Sequence, residues 1–217
     1  MLVSHNYKFI FIKTIKTAGT STEIFLEPYC ISNLQESHSR VMKKTNEGIV
    51  GTRMNQQQAE KSEFYNHMTP LEIKNKLGES LFDSYIKIAN IRNPFDILVS
   101  HYHFRPTYNL FTKEKLSFDD YLLNTDVVEK LSQKYKDLLF IDDKFVIDEI
   151  IRYENLSEDL NNLVSKLNLP NPKRKLSNYK VSKDREGIPY QKFYKEETIK
   201  KVQENFNFYI DLFKYDF

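Results

Sequence analysis

Two segments of the 217-residue chain carry residue types at spacings that suit anion chemistry. The first is Phe11-Ile-Lys-Thr-Ile-Lys-Thr-Ala-Gly-Thr-Ser-Thr. Gly19 permits close backbone approach and Ala18 is nearly as small. Thr17, Thr20 and Ser21 supply hydroxyl donors, and Lys16 supplies a mobile positive charge. A loop entering a helix in this way offers unpaired backbone N–H groups to a phosphate-like group. The segment lacks the G-x-x-x-x-G-K-[ST] pattern of a Walker loop; an ordinary β–α turn capped by Thr and Ser is its other reading. The second segment is Ile88-Ala-Asn-Ile-Arg-Asn-Pro-Phe-Asp-Ile-Leu-Val-Ser-His-Tyr. Arg92 can grip a phosphate with two parallel hydrogen bonds, and Ser100 follows about two helical turns later. Spacing alone does not bring Arg92 and Ser100 to one anion. An Arg paired with a nearby acid, and a Ser bonded to its own helix backbone, account for them equally well. A third feature is His67, just ahead of Thr69-Pro70. Its ordinary pKa of about 6.5 suits proton transfer near neutrality, although a lone His at a helix start also reads as a surface residue.

The elements that must position these residues are visible in the pattern. Residues 7–12, Tyr-Lys-Phe-Ile-Phe-Ile, form a β-branched and aromatic run typical of a buried strand. Residues 13–21 follow as a loop and 20–27 as a helix. Thr69 suits an N-cap, Pro70 the first helical position and Glu72 the third, with a stop at Gly78. A second core strand fits 84–91, with a helix opened by Pro94 through about residue 104. Further helices fit 117–124 and 157–167. Residues 138–141 and 144–147 flank Asp142-Asp143 as a hairpin, and 147–153 read as a strand. Residues 170–189 read as a basic loop and 196–213 as one amphipathic helix, its Phe206, Tyr209, Ile210 and Phe213 stripe being core. Strands alternating with helices predict an α/β fold with a mostly parallel sheet.

Composition bounds the function. Lys plus Arg is 32 and Asp plus Glu 30, so the near-balanced charge argues against bulk polyanion binding, nucleic acid included, and any anion site must be local. A single cysteine, Cys30, excludes an internal disulfide or a cysteine zinc cluster. No cluster of Asp or His is spaced to bind a metal, so none is expected. No stretch approaches the length of a transmembrane helix, and no signal peptide is seen at the N-terminus. A soluble, cytoplasmic protein is the expectation.

Together the two segments resemble the sulfotransferases that use 3′-phosphoadenosine 5′-phosphosulfate. Lys16-Thr-Ala-Gly-Thr-Ser is similar to their 5′-phosphosulfate loop. Arg92-Asn-Pro-Phe-Asp-Ile-Leu-Val-Ser-His-Tyr is similar to their 3′-phosphate motif, R-[ND]-P-x-[DE]-x-x-x-S-x-Y. The closest resemblance is to the carbohydrate-type branch that includes heparan sulfate 2-O-sulfotransferases and bacterial relatives. Val146 to Leu156 and the ending Phe208 to Phe217 also look like that branch. Ile15 stands where the family usually has proline, and Lys13 where histidine is common. The resemblance implies a P-loop-like three-layer fold with helices on both faces of the sheet, and one domain over residues 1–217 that is nearly all catalytic. It implies His67 as general base, with Glu63 in reserve. Lys16, Thr17, Ala18, Gly19, Thr20 and Ser21 would bind the 5′ side of the nucleotide, and Arg92 and Ser100 the 3′-phosphate. A late loop with Ser182, Lys183 and Arg185 would close over it. The acceptor is then a hydroxyl, on a glycan or polysaccharide, received by residues 31–66, 104–116 and 170–190, with Arg53, Arg105 and Lys183 as candidate contacts. A kinase-like nucleotide phosphotransferase and a catalytically silent nucleotide-binding module are the alternatives.

Overall fold

A computed structural model describes residues 1–54, 61–104, 114–170, 176 and 187–217. The chain divides into two compact units: Met1–Ile91 with Lys136–Tyr179, and Arg92–Tyr135 with Lys180–Phe217.

The first unit is built on a six-stranded sheet. Its strands are β1 (Leu2–Ser4), β2 (Phe9–Ile12), β3 (Lys43–Lys44), β4 (Gly48–Val50), β5 (Ile86–Ile91) and β8 (Glu149–Arg152), in the order β3-β4-β1-β2-β5-β8. A separate hairpin pairs β6 (Phe140–Ile141) with β7 (Lys144–Phe145). Asp142 and Asp143 both take positive φ at its tip, the backbone that a two-residue hairpin turn requires.

The fold is mixed α/β, but the sheet is not mostly parallel. β5 pairs in parallel with β2 and with β8. The three remaining pairings, β1 with β2, β1 with β4 and β3 with β4, are antiparallel. The reason is local: only residues 5–8 separate β1 from β2, and a parallel return needs a crossover of a dozen residues or more. β1 is an addition to the expected set of strands.

The central strands are buried on both faces. Phe9, Phe11 and Ile88 pack in one core with Phe25 and Leu26 of α1 (Gly19–Leu26) and with Leu160 and Leu163 of α7 (Leu156–Lys166). Ile10, Ile12, Ala89 and Ile91 occupy the alternate positions and are fully buried as well, as strands covered on both faces are. Each of the Ile, Leu and Phe side chains contributes about 1.5–3 kcal/mol on burial. The helix α2 (Pro70–Leu77) starts as expected, with a reciprocal cap between Thr69 and Glu72, and ends at Gly78 with φ 87°. α3 (Glu79–Ser84) follows directly.

The second unit is helical: α4 (Pro94–Phe104), α5 (Phe118–Leu123), the first part of α6 (Val127–Leu139), α8 (Glu196–Asn205) and α9 (Asn207–Phe213). α6 adds to the expected elements; its buried Val128, Leu131, Tyr135 and Leu138 stand three to four residues apart. The single helix expected over 196–213 is two, because Phe206 leaves helical geometry at φ −100°, ψ 16° and caps both. Its buried ring packs edge-on against Tyr135 and Tyr209. No helix among the described residues is long and apolar enough to cross a membrane.

Candidate active site

The carboxyl ends of β2 and β5 lie side by side, with Ile12 opposite Ala89 in the parallel register. This is where open α/β sheets bind ligands. The loop leaving β2 has Lys16 at φ 58° and Ala18 at φ 60°, with Thr17 between them. Two left-handed residues so spaced turn successive backbone N–H groups toward one side, a concavity suited to an anion. The same loop delivers the chain to the start of α1, where the helix dipole also favours negative charge.

Hydrogen bonds hold this strained backbone in place. Thr14 Oγ1 donates to Asn90 O at 2.6 Å and lies 2.7 Å from Thr17 Oγ1. Since the Thr14 proton is committed to the carbonyl, Thr17 is the donor of that second bond. The Thr17 hydroxyl therefore serves the fold, and what Thr17 can offer an anion is its backbone amide. The amide of Asn90 donates to Thr17 O at 2.9 Å and to Thr22 Oγ1 at 2.7 Å. Asn90 is fully buried in β5 and pins both ends of the loop. Sequence reasoning missed it; an amide side chain between the buried Ala89 and Ile91 of a central strand is the signal that marks it.

Gly19 also makes room for a neighbouring side chain. A Cβ there would stand 2.9 Å from Lys13 Cγ and 3.3 Å from Lys13 Cε. The space is taken by the lysine stem. Lys13 Nζ then reaches Glu23 Oε2 at 2.6 Å, Thr20 Oγ1 at 3.1 Å and, more weakly, Asn66 Oδ1 at 3.4 Å. Thr20 accepts this bond, so its own proton remains for a ligand.

Glu23 is the hub of a buried charge cluster. It pairs with Lys13, with the Met1 amine at 2.8 Å and with Arg53 at 3.1 Å, and Arg53 also bonds Glu27 at 2.7 Å. Arg40 pairs with Glu27 as well. Burial alone would raise the Glu23 carboxyl, but Lys13, the Met1 amine, Arg40 and Arg53 overcome it and hold it well below the usual range. Arg53 is 2% exposed. It is a structural counter-ion rather than the exposed acceptor contact expected of it, because two buried carboxylates, Glu23 on α1 and Glu27 just past its end, need a shared cation in a dry core.

His67 meets the base of the loop. Its Nδ1 lies 3.0 Å from the carbonyl oxygen of Lys13. A carbonyl only accepts, so Nδ1 carries the proton and Nε2 keeps its lone pair. Nε2 has no hydrogen-bond partner among the described residues. Burial, and next the Lys13 charge, push the His67 pKa from 6.5 down to about 3, so the ring is neutral at physiological pH. His67 sits at φ 57°, a backbone region uncommon outside glycine. Glu63 is exposed and paired with Lys44 at 3.3 Å. His101 meets the Tyr121 hydroxyl and stacks on that ring, a packing role.

In the second unit, Arg92 and Ser100 are carried by the start and the second turn of α4. Asn93 caps the helix by accepting from Phe95 N at 3.0 Å, and Pro94 is its first residue. Arg92 is 5% exposed, and its Nε donates to Asp96 Oδ2 at 2.7 Å. The Arg–acid pairing left open by the sequence is therefore present, one turn along the helix. Its backbone is fixed from both sides: Arg92 N donates to the Tyr209 hydroxyl at 3.2 Å, and that hydroxyl donates to Arg92 O at 3.1 Å. Tyr209, expected as core packing, thus also anchors the arginine. Ser100 is half-buried and makes no side-chain hydrogen bond among the described residues, so it is not bonded back to its own helix. Ser182, Lys183, Arg185 and Arg105 lie outside the described residues. No cluster of three or more His, Cys, Asp or Glu able to hold a metal occurs among the described residues.

Comparison with known proteins bears directly on this arrangement. An uncharacterized protein of Archaeoglobus fulgidus is 35% identical over 100 residues, spanning 45% of this chain and 80% of the relative. No solved structure gives a significant match. Residues 8–169 match the sulfotransferase domain family. The match begins at the strand that feeds the Lys16 loop, takes in His67, Arg92 and Ser100, and runs on past β8 through α7, and on that extent the chain belongs to the sulfotransferase family.

Proposed function

We propose that this sulfotransferase moves the sulfuryl group of 3′-phosphoadenosine 5′-phosphosulfate to a hydroxyl of a carbohydrate, with His67 as general base. Family membership itself establishes sulfuryl transfer to an acceptor hydroxyl; the nucleotide, the glycan and the base are the finer reading. The observation that carries it is the tautomer of His67: the Lys13 carbonyl claims the Nδ1 proton and leaves Nε2 able to accept one. The loop residues present fit a 5′-phosphosulfate. Left-handed Lys16 and Ala18 cup their amides at the start of α1, and Thr20 and Ser21 add hydroxyls.

In this reading Nε2 of His67 takes the proton as the acceptor oxygen bonds to sulfur and the bond from sulfur to the 5′-phosphate oxygen breaks. Lys16 stabilises the charge that builds on that oxygen, and the amides of residues 17–21 hold the phosphate. Arg92 and Ser100 hold the 3′-phosphate, and Ser182, Lys183 and Arg185 cover the nucleotide. A base with a pKa of about 3 is weak. Anionic groups of a donor beside the ring favour imidazolium and move that pKa back up, toward the range in which proton transfer is efficient. The family match runs over residues 8–169 and so takes in residues from both compact units. A cavity of about 280 Å³ in the region expected to receive the acceptor is lined by Gln35, Glu36, Ser37, Arg40 and Lys43 among others. The charged and amide side chains of that lining can hydrogen-bond hydroxyls, and Leu34 adds an apolar contact.

Two measurements test the reading. Calorimetric titration with 3′-phosphoadenosine 5′-phosphate and with ATP–Mg²⁺ should show clear preference for the former; preference for ATP points to phosphotransfer instead. His67→Asn keeps a donor for the Lys13 carbonyl and suits positive φ. It should lower turnover with saturating donor by about 10²–10⁴-fold on a panel of oligosaccharide acceptors. Full turnover in that variant places the base elsewhere, and nucleotide binding without transfer to any acceptor indicates a silent module.

A further inference from the structure

Lys13 occupies a position that the phosphate loop does not need for binding, yet every part of the residue is committed. Its stem fills the space that Gly19 leaves by lacking a Cβ. The residue is 4% exposed, and its ammonium bridges Glu23 and Thr20 on α1 to Asn66. Its carbonyl receives Nδ1 of His67. One residue at the end of β2 therefore ties the first turn of α1 to the Asn66–His67 segment, 53 residues away in sequence.

We propose that Lys13 is the positioning residue for His67. Its carbonyl selects the Nδ1–H tautomer, and its ammonium, held by Glu23, fixes the strained Asn66–His67 turn so that the imidazole stays in register with the loop. This rests on His67 being the base. The charged groups acting on the ring come from three elements: Lys13 from the end of β2, the Met1 amine beside β1, and Glu23 from α1, itself bonded to Arg53. Lys13 and the amine oppose protonation of His67, and Glu23 favours it. Replacing Lys13 by a neutral residue of similar length should leave a folded protein. Glu23 keeps the Met1 amine and Arg53 as partners, and a methionine stem still covers Gly19.

The test uses the full chain with Lys13→Met, Lys13→Arg and Asn66→Ala. The imidazole ¹⁵N shifts of His67 in the nucleotide-free protein read its tautomer and its protonation. The wild type should show a pure neutral Nδ1–H ring from pH 5 to 8. Lys13→Met should show tautomer mixing and a protonation midpoint moved upward, with kcat down at least tenfold. Its affinity for 3′-phosphoadenosine 5′-phosphate should be within about twofold of wild type, and the acid limb of its kcat profile should move to higher pH. Lys13→Arg should restore most of kcat. Asn66→Ala, which leaves the buried charge in place, should mix tautomers with little change in midpoint, and it serves if Lys13→Met does not fold. Unchanged ¹⁵N shifts in Lys13→Met, or in Asn66→Ala if only that variant folds, overturn the proposal. So do altered shifts with kcat and its pH profile unmoved. If the wild type transfers no sulfuryl group at all, the functional reading fails, while the ¹⁵N measurement still reports whether Lys13 holds the ring.

Discussion

The neutral state of His67 has a consequence for stability that can be measured without any substrate. In the folded chain its pKa lies near 3, against 6.5 when the chain is unfolded. A base whose folded pKa is depressed binds its proton in the unfolded state first. Its contribution is therefore fully present above pH 6.5 and is lost as pH falls toward 3. Between those limits the unfolded chain holds one more proton, which costs about 1.4 kcal/mol of stability per pH unit. Going from pH 8 to pH 5 crosses about a unit and a half of that window, or about 2 kcal/mol. His67→Asn has no titrating ring, retains a donor for the Lys13 carbonyl and tolerates the left-handed backbone. The assay is urea unfolding of both proteins at pH 5, 6, 7 and 8. Glu23 and the Met1 amine also lose stability toward acid, Glu23 because its folded pKa is lowered and the amine because burial brings it to about 6. They titrate in both proteins, so the difference between the two slopes isolates His67. The variant should lose about 2 kcal/mol less than the wild type over this range. Parallel curves would refute the reasoning, since they would mean that the folded ring takes up its proton at the ordinary pH.

Three further substitutions probe the supports of the site. Asn90→Ala removes the donors to Thr17 O and Thr22 Oγ1 and should cost about 2–4 kcal/mol in urea unfolding; it should also weaken binding of 3′-phosphoadenosine 5′-phosphate in calorimetry. Tyr209→Phe strips the hydroxyl that both accepts from and donates to the Arg92 backbone, with an expected loss of about 1–3 kcal/mol. Its binding defect should be larger for the 3′-phosphorylated nucleotide than for adenosine 5′-phosphosulfate. Gly48→Ala would put a Cβ 2.2 Å from Val3 O and 2.6 Å from Cys30 O; both are backbone atoms that cannot swing aside, so thermal melting should show a loss above about 3 kcal/mol.

The fold was most legible where a local cause acts within a few residues. Thr69, Pro70 and Glu72 announce a helix start, and the reciprocal cap is there. Asp142-Asp143 announces a turn, and both residues take the positive φ it needs. β1 and the antiparallel half of the sheet were harder, because three residues of Leu-Val-Ser carry too little pattern to mark a strand. The strand exists because its neighbours β2 and β4 pair with it. The break at Phe206 is similar: helical periodicity continues through it, and a large buried ring turns the backbone.

The site divides along the same line. Lys16, Ala18, Gly19 and Arg92 could be picked out as candidates because they stand just past strand ends, and Ser100 because it follows Arg92 at a motif spacing. Lys13, Glu23, Arg53 and Asn90 could not be assigned roles in that way, since each acts through a partner far along the chain; Asn90 and Thr17 are 73 residues apart. Their residue types nonetheless conflict with their surroundings. Glu23 lies in a helix whose residues are all buried, Glu27 follows directly and is 1% exposed, and Asn90 is fully buried in its strand between Ala89 and Ile91. A buried charge or amide is costly unless it is paired, so such a residue implies a partner even when the sequence does not show which. For the Glu residues the partners are Lys13, Arg40, Arg53 and the Met1 amine. That pairing reverses the simplest view of the basic residues here. Several of the cations nearest the loop neutralise the protein's own carboxylates, so a count of basic residues around a loop overstates the positive charge it can offer an anion.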